Sequence, residues 1–99
     1  MAPPDDETFP VRSSNEIVVA RQVVRRWAVD LGFTLVEQTK IVTAASELAR
    51  NTIDHGGGGT MRVQSLRDGG RVGLRLTLPS ADGGEPDRVV VLQTVKGPQ

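Results

Sequence analysis

The sequence predicts a single α+β domain, a two-layer sandwich in which two amphipathic helices pack on one face of a small mixed or antiparallel sheet. Two observations predict this class. Apolar residues recur every three or four positions through residues 17–31 and 41–52, which is the period of a helix. After the glycine run at 56–59 the period changes to two, the period of a half-buried strand. A chain of 99 residues leaves little room for a second core, so one domain is expected.

The composition excludes several classes of protein and site. The 12 basic residues balance the 12 acidic ones, so bulk affinity for nucleic acid or an anionic membrane is not expected. The absence of cysteine excludes disulfides and thiolate metal sites, and the single histidine excludes a multi-histidine zinc site within one chain. No apolar run approaches the roughly 20 residues of a membrane span, and the acidic, Pro-rich start is unlike a signal peptide. We therefore predict a cytoplasmic protein that binds neither nucleic acid nor membrane.

The first quarter of the chain predicts a tail, a strand and a helix. Residues 1–7 contain nothing that can be buried and are expected to be disordered. Residues 8–12 predict a short strand, in which Pro10 requires an edge or a bulge. Residues 13–16, Ser-Ser-Asn-Glu, are typical of a capping box that opens a helix, and Gly32 is a natural stop for that helix.

The second helix has clear start and stop signals. Residues 34–37, Thr-Leu-Val-Glu, form a second capping box, and the helix is expected to run to about His55. It should end at the glycine run 56–59, which we interpret as a flexible connection to the first strand of a hairpin. The residues that cluster on its buried face are Ile41, Ala45, Leu48 and Thr52.

The remaining segments alternate as strands do. Residues 61–65 and 72–78 alternate apolar with polar side chains, and Asp-Gly-Gly at 68–70 is a hairpin signal between them. Residues 80–87 form a polar, Gly-rich loop, and the Val-rich run 89–92 predicts another strand.

Glu47 and Asn51 are the most informative residues of the second helix. They are four positions apart, so their side chains lie on the same side of the helix, about 40° apart. A carboxylate and a carboxamide presented together suit a hard cation such as Mg²⁺, whose other ligands are waters and phosphate oxygens. A carboxylate beside such an ion can also accept a proton from an attacking hydroxyl. By spacing alone, however, such a pair is more often an ordinary part of a solvated helix.

The same helix carries a resemblance to a known family. The matching segments are 20–22, 31–33, Gln38 and, above all, Thr43-Ala44-Ala45-Ser46-Glu47-Leu48-Ala49-Arg50-Asn51. They resemble the anti-sigma regulatory factor family, small serine/threonine switch kinases of the GHKL (histidine-kinase-like) ATPase superfamily that serve bacterial partner-switching stress pathways. The resemblance covers roughly residues 8–78 and is closest to the branch that activates a phosphatase. It implies an incomplete Bergerat-type ATPase fold.

The resemblance implies a role for individual residues, with Mg²⁺ and ATP as cofactors. Residues 46–51 resemble the N box of the family. In that motif Glu47 would be the catalytic carboxylate that activates the target hydroxyl or a water. Asn51 would be the Mg²⁺ ligand that bridges the nucleotide phosphates, and Asp54 would lie near the mouth of the nucleotide pocket.

The second motif of the family is degraded in this chain. Its form is Asp-x-Gly-x-Gly, in which the Asp binds the adenine amino group. One alignment places Ser80 at that Asp, and the other recovers Asp82 but leaves Gly84 as the single matched glycine. We expect residues 8–96 to be one GHKL-like domain that lacks the ATP lid and the C-terminal part.

These features leave three hypotheses open. In the first, the chain is a partner-switching regulator that does not require ATP. It would dock to a STAS-domain antagonist, a PP2C-type phosphatase or a sigma factor through Arg21 and Arg25, which decorate the first helix. The alternative is an active Mg-ATP-dependent serine/threonine protein kinase acting on a STAS-domain protein, with a homodimer partner completing the pocket. The third is a remnant with an exposed core.

Overall fold

The computed structural model describes residues 6–68, 71–78 and 88–95 of the chain. The strands among them form one four-stranded antiparallel sheet in the order β1-β2-β3-β4. The predicted α+β class is confirmed, because two helices pack against this sheet. The elements, in chain order, are β1 (Asp6–Val11), α1 (Ser14–Asp30), α2 (Leu35–Gly56), β2 (Gly59–Asp68), β3 (Arg71–Leu78) and β4 (Arg88–Val95).

The core lies between the sheet and the helices. Phe9 of β1 is opposite Met61 of β2, and Val63 of β2 is opposite Leu76 of β3, so these side chains share one face of the sheet. All four are buried against apolar side chains of the two helices. Burial of each such side chain stabilises the fold by roughly 1.5–3 kcal/mol, which makes this face the main source of stability. The buried helix and loop residues that complete it are Ile17, Ala20, Val23, Val24, Ala28, Leu31, Phe33, Ile41, Val42, Ala45, Leu48 and Ala49.

Strand β1 begins earlier than the sequence predicted. Asp6 and Glu7, which we expected in a disordered tail, are its first two residues. Both are held by partners distant in sequence: Asp6 pairs with the guanidinium of Arg62, and Glu7 accepts a hydrogen bond from Nε1 of Trp27 at 2.8 Å. The rest of the predicted tail, residues 1–5, lies outside the described residues. Pro10 lies in the edge strand of the described sheet, as predicted.

The two helices start differently. At α2 the predicted capping box is complete, because the Thr34 hydroxyl accepts from the Glu37 N–H at 3.1 Å and the Glu37 carboxylate accepts from the Thr34 N–H at 2.8 Å. At α1 the predicted box is wrong. The Ser13 side chain makes no capping bond, and Glu16 accepts instead from the N–H of Arg12 at 2.7 Å. The carboxylate thus holds the residue before the cap, and the Glu16 N–H donates to the Ser13 carbonyl at 3.0 Å and not to its hydroxyl.

Glycines end both helices, as predicted. Gly32 follows α1 with φ +85°, and the Phe33 N–H reaches back to the Ala28 carbonyl at 2.9 Å. After α2, Gly57 and Gly58 have φ of +72° and +105°. A Cβ on Gly58 would lie 2.8 Å from the Val11 carbonyl oxygen. Gly58 is therefore packed against the end of β1, whereas Gly57 has open space beside it.

The remaining predicted strands are also present. Asp68 of β2 is opposite Arg71 of β3, as a hairpin requires, and the predicted run 89–92 lies within β4. The predicted loop 80–87 lies outside the described residues, as do parts of the predicted domain 8–96. Among the helices described, none is both long and apolar enough to cross a membrane.

Candidate functional site

Helix α2 presents a row of oxygen-bearing side chains. The helix is continuous from Leu35 to Gly56, so Glu47 and Asn51 lie on one side of it, as their spacing predicted. Asp54 is seven residues after Glu47 and lies within about 20° of the same line. The three residues span roughly 10 Å along the helix. We call Glu47, Asn51 and Asp54 the oxygen-donor face.

The side chains of this face are free of other partners in the described part of the chain. Glu47 and Asp54 are exposed and Asn51 is half-buried. None of the three makes a hydrogen bond or an ion pair with a described residue. Asn51 is therefore the member best held in place by its surroundings, while the two carboxylates are open to water and to a ligand.

Two carboxylates and the end of the helix contribute negative charge to this face. Glu47 and Asp54 each contribute a carboxylate, and the last turn of α2 adds the partial negative charge of its unpaired carbonyl groups. Cations are stabilised near a helix C-terminus by about 0.3–1 kcal/mol at an exposed position. Arg50 and His55 are also exposed and flank this face, because Arg50 is four residues before Asp54 and His55 is four residues after Asn51.

The donor set fits a Mg²⁺ ion that arrives with phosphate and does not fit a metal held by protein alone. The described residues contain no group of three or more His, Cys, Asp or Glu side chains that could hold a metal ion. A Mg²⁺ ion here would take one or two protein oxygens and complete its shell with waters and phosphate oxygens, which is its usual behaviour. The adenine contacts predicted for Asp82 and Gly84 lie outside the described residues.

A second surface feature is a groove between α1 and α2. It has a volume of about 270 Å³ and is lined by Val18, Arg21, Gln22 and Arg25 of α1 and by Val42 of α2. The structure thus brings the two predicted docking arginines together on one surface. We call these five residues the docking groove.

The arginines of the docking groove differ from other arginines of the chain. Arg26 pairs with Glu7 at 3.5 Å, and Arg62 pairs with Asp6. Arg21 and Arg25 are exposed, and neither forms an ion pair within the described part of the chain. Their charges are therefore available to a partner.

Sequence reasoning missed Val18, Gln22 and Val42 as members of this groove. A signal was present, since Val18 lies off the buried stripe of α1 and recurs with Gln22, Arg25 and Val29 at helical spacing. Val42 gave no such signal, because it is buried and reads as an ordinary core residue. Only the packing of α1 against α2 shows that it forms the floor of a groove.

The two features lie on opposite sides of α2. Val42 and Asn51 are nine residues apart, which is about two and a half turns of helix. Their side chains therefore point in opposite directions from the helix axis. The docking groove and the oxygen-donor face therefore share no side chain.

Comparisons with known proteins give one informative relative and no match to a family model. The chain is 37% identical over 83 residues to the serine/threonine-protein kinase RsbT of Bacillus subtilis (strain 168). The match covers 84% of this chain and 62% of the kinase, so the chain spans a little under two thirds of that protein. With 83 of 99 residues matched, the match includes all of α2 and nearly all of α1. Identity of this size over most of the chain agrees with the resemblance of its helix motif, and the chain is therefore similar to a serine/threonine-protein kinase over most of its length.

Proposed function

We propose that the chain is a partner-switching regulator in stress signalling, and that it docks to a STAS-domain antagonist, a PP2C-type phosphatase or a sigma factor. The observation that carries this proposal is the docking groove with its two unpaired guanidinium groups. The kinship with a serine/threonine-protein kinase supports the signalling role.

Partner switching requires that two proteins compete for one surface and that each can leave. The docking groove is suited to such exchange. Its rim charges are exposed, and exposed complementary charges raise the association rate more than they strengthen the final complex. Its apolar part, Val18 and Val42, is small, so a complex formed there can still dissociate.

Competition binding tests this function directly. Purified chain would be saturated with a labelled STAS-domain protein and then titrated with an unlabelled PP2C-type phosphatase, followed by fluorescence anisotropy. Displacement of the label with a saturable profile is the expected result. A ternary complex that retains the label, or the absence of binding by either protein, would contradict partner switching.

A second candidate function is an active Mg-ATP-dependent serine/threonine protein kinase acting on a STAS-domain protein. The geometry of the oxygen-donor face favours it, because Glu47 and Asn51 are accessible and lie on one rigid helix. Asn51 would hold the ion, with Asp54 lining the nucleotide pocket. A bound Mg²⁺ ion would neutralise phosphate charge during transfer. Glu47 would accept the proton of the target hydroxyl, a role that requires a carboxylate within hydrogen-bond reach of that group.

Calorimetric titration with ATP, with and without Mg²⁺, tests the second candidate. If the face binds nucleotide, Mg²⁺-dependent binding will be saturable and at least about tenfold weaker in Asn51→Ala, because the ion loses its protein ligand. Gln64→Ala is the matched control, since Gln64 is also a half-buried carboxamide but lies on the sheet. No binding at millimolar ATP, in a chain that melts cooperatively, would remove the kinase function and leave the docking role.

A further inference from the structure

We infer that the docking groove receives an acidic amphipathic helix of the partner protein. The inference rests on the proposed docking function and names the chemistry of the partner. Two features support it: the arginines of the groove, which form no ion pair in the described part of the chain, and the half-exposed valines on the same side of α1.

The exposed side of α1 carries a mixed stripe of two valines and two polar residues with helical spacing. Val18, Gln22, Arg25 and Val29 recur at intervals of four, three and four residues. Val18 is 51% exposed and Val29 is 52% exposed, so about half of each side chain is open to solvent. A stripe with this spacing can lie along a partner helix, with the two valines in apolar contact and Arg25 between them free to pair with a carboxylate.

The charge of the stripe selects an acidic partner. The acidic residues of α1 are Glu16 and Asp30, at its two ends. The Glu16 carboxylate already accepts a hydrogen bond from the Arg12 N–H. The middle of the exposed side therefore presents Arg21 and Arg25 without a nearby carboxylate on its own helix. Guanidinium groups pair with carboxylates through two parallel hydrogen bonds. Arg21 and Arg25 are one turn apart, so they match carboxylates one turn apart on a partner helix.

The balance of charge favours a protein helix over nucleic acid, and the stripe is long enough to contact such a helix. From Val18 to Val29 the stripe extends roughly 16 Å, about three turns of helix. Nucleic-acid surfaces usually carry a strong excess of basic residues, whereas this chain has a formal net charge of zero. Val42 supplies an apolar floor, on which an apolar side chain of the partner can lie between its two carboxylates.

A designed peptide provides the test. The probe is a fluorescently labelled, helix-forming peptide of about three to four turns, with a leucine stripe and glutamates four residues apart beside it. The control peptide has glutamine in place of each glutamate. Binding to the whole chain is measured by anisotropy at low and raised salt. We expect the glutamate peptide to bind more tightly than the glutamine peptide, with an affinity that falls as salt rises.

Charge-reversal variants locate the contact. The double variant Arg21→Glu, Arg25→Glu should weaken glutamate-peptide binding about tenfold, because two exposed pairs are lost and repulsions replace them. Arg75→Glu is the matched control, since Arg75 is exposed on β3 and forms no ion pair in the described part of the chain. A peptide with lysine in place of each glutamate should bind the double variant better than it binds the wild type. Binding of the lysine peptide by the double variant would show that the variant is folded, so that its weaker binding of the glutamate peptide does not come from unfolding.

Several outcomes would overturn the inference. They are equal binding of the glutamate and glutamine peptides, equal weakening by Arg75→Glu, and no peptide binding by the wild type. Self-association that disappears in the double variant would assign the groove to a second copy of the chain. If the peptide binds as expected but the STAS-domain protein and the phosphatase do not compete, the proposed function fails and the acidic-helix site stands. If the STAS-domain protein and the phosphatase compete for the double variant as well as they compete for the wild type, the proposed function stands and the acidic-helix inference fails.

Discussion

Gly58 shows how one residue joins two elements of this fold. Its φ of +105° is a conformation that residues with side chains rarely adopt, and a Cβ at this position would lie 2.8 Å from backbone atoms of Val11 and Arg12. The neighbouring Gly57 has φ +72°, with nothing within 4 Å of the place a Cβ would occupy. The two glycines therefore answer different requirements: Gly57 needs backbone freedom, and Gly58 needs both freedom and space.

Alanine substitution separates these two requirements. Gly57→Ala should lower the free energy of unfolding by about 1 kcal/mol, the cost of a left-handed alanine. Gly58→Ala should lower it by about 3 kcal/mol, because strain and a contact of 2.8 Å with the Val11 carbonyl oxygen act together. Urea unfolding followed by the fluorescence of Trp27 measures both values. Equal losses in the two variants would mean that the turn relaxes away from β1.

At the scale of the element, the two helices illustrate how far local sequence decides local structure. Both starts have the residues of a capping box, but only Thr34 and Glu37 form one. At α1 the Glu16 carboxylate accepts a hydrogen bond from the N–H of Arg12, the residue that directly follows β1. The strand sets the path of the chain into α1, and the sequence pattern contains no information about that path.

The capping difference predicts a difference in stability. Thr34→Ala should reduce the free energy of unfolding by about 1 kcal/mol, because an N–H at the helix start loses its acceptor. Ser13→Ala removes a hydroxyl that makes no capping bond, so we expect a change of only a few tenths of a kcal/mol. Thermal unfolding followed by circular dichroism compares the two. A Ser13→Ala loss as large as that of Thr34→Ala would show that Ser13 caps the helix in solution.

Strand β1 marks the limit of sequence reasoning at this scale. The acidic start gave no apolar pattern, so residues 6 and 7 were assigned to a tail. Their partners, Arg62 and Trp27, are 56 and 20 residues away in the chain. Contacts over such distances depend on the tertiary fold, whereas the helices and the hairpin could be predicted because their signals are local.

At the scale of the whole molecule, the oxygen-donor face could be predicted and the docking groove could not. Glu47, Asn51 and Asp54 share one helix, so their spacing alone places them together. The groove needs two helices packed at a particular register, which brings Val42 beside Arg21 and Arg25. The roles of all these residues in binding remain predictions.

The placement of the two features on opposite sides of α2 predicts that they act independently. Arg21→Glu, Arg25→Glu should leave any Mg-ATP affinity within about twofold of the wild type, and Asn51→Ala should leave the affinity for the acidic peptide equally unaffected. Titrations of both variants with both ligands give the comparison. A large cross-effect would show that α2 shifts when one side is occupied, because no side chain is shared between the two surfaces.

Pro10 in strand β1 has a consequence for behaviour at high concentration. An edge strand usually offers a row of backbone N–H groups on which a second chain can add a strand, which is a common start of aggregation. Pro10 has no N–H to offer, and charged side chains at Asp6 and Glu7 begin the same short strand. This edge of the sheet is thereby protected against unwanted growth, so the first strand is not expected to recruit further copies of the chain at high concentration.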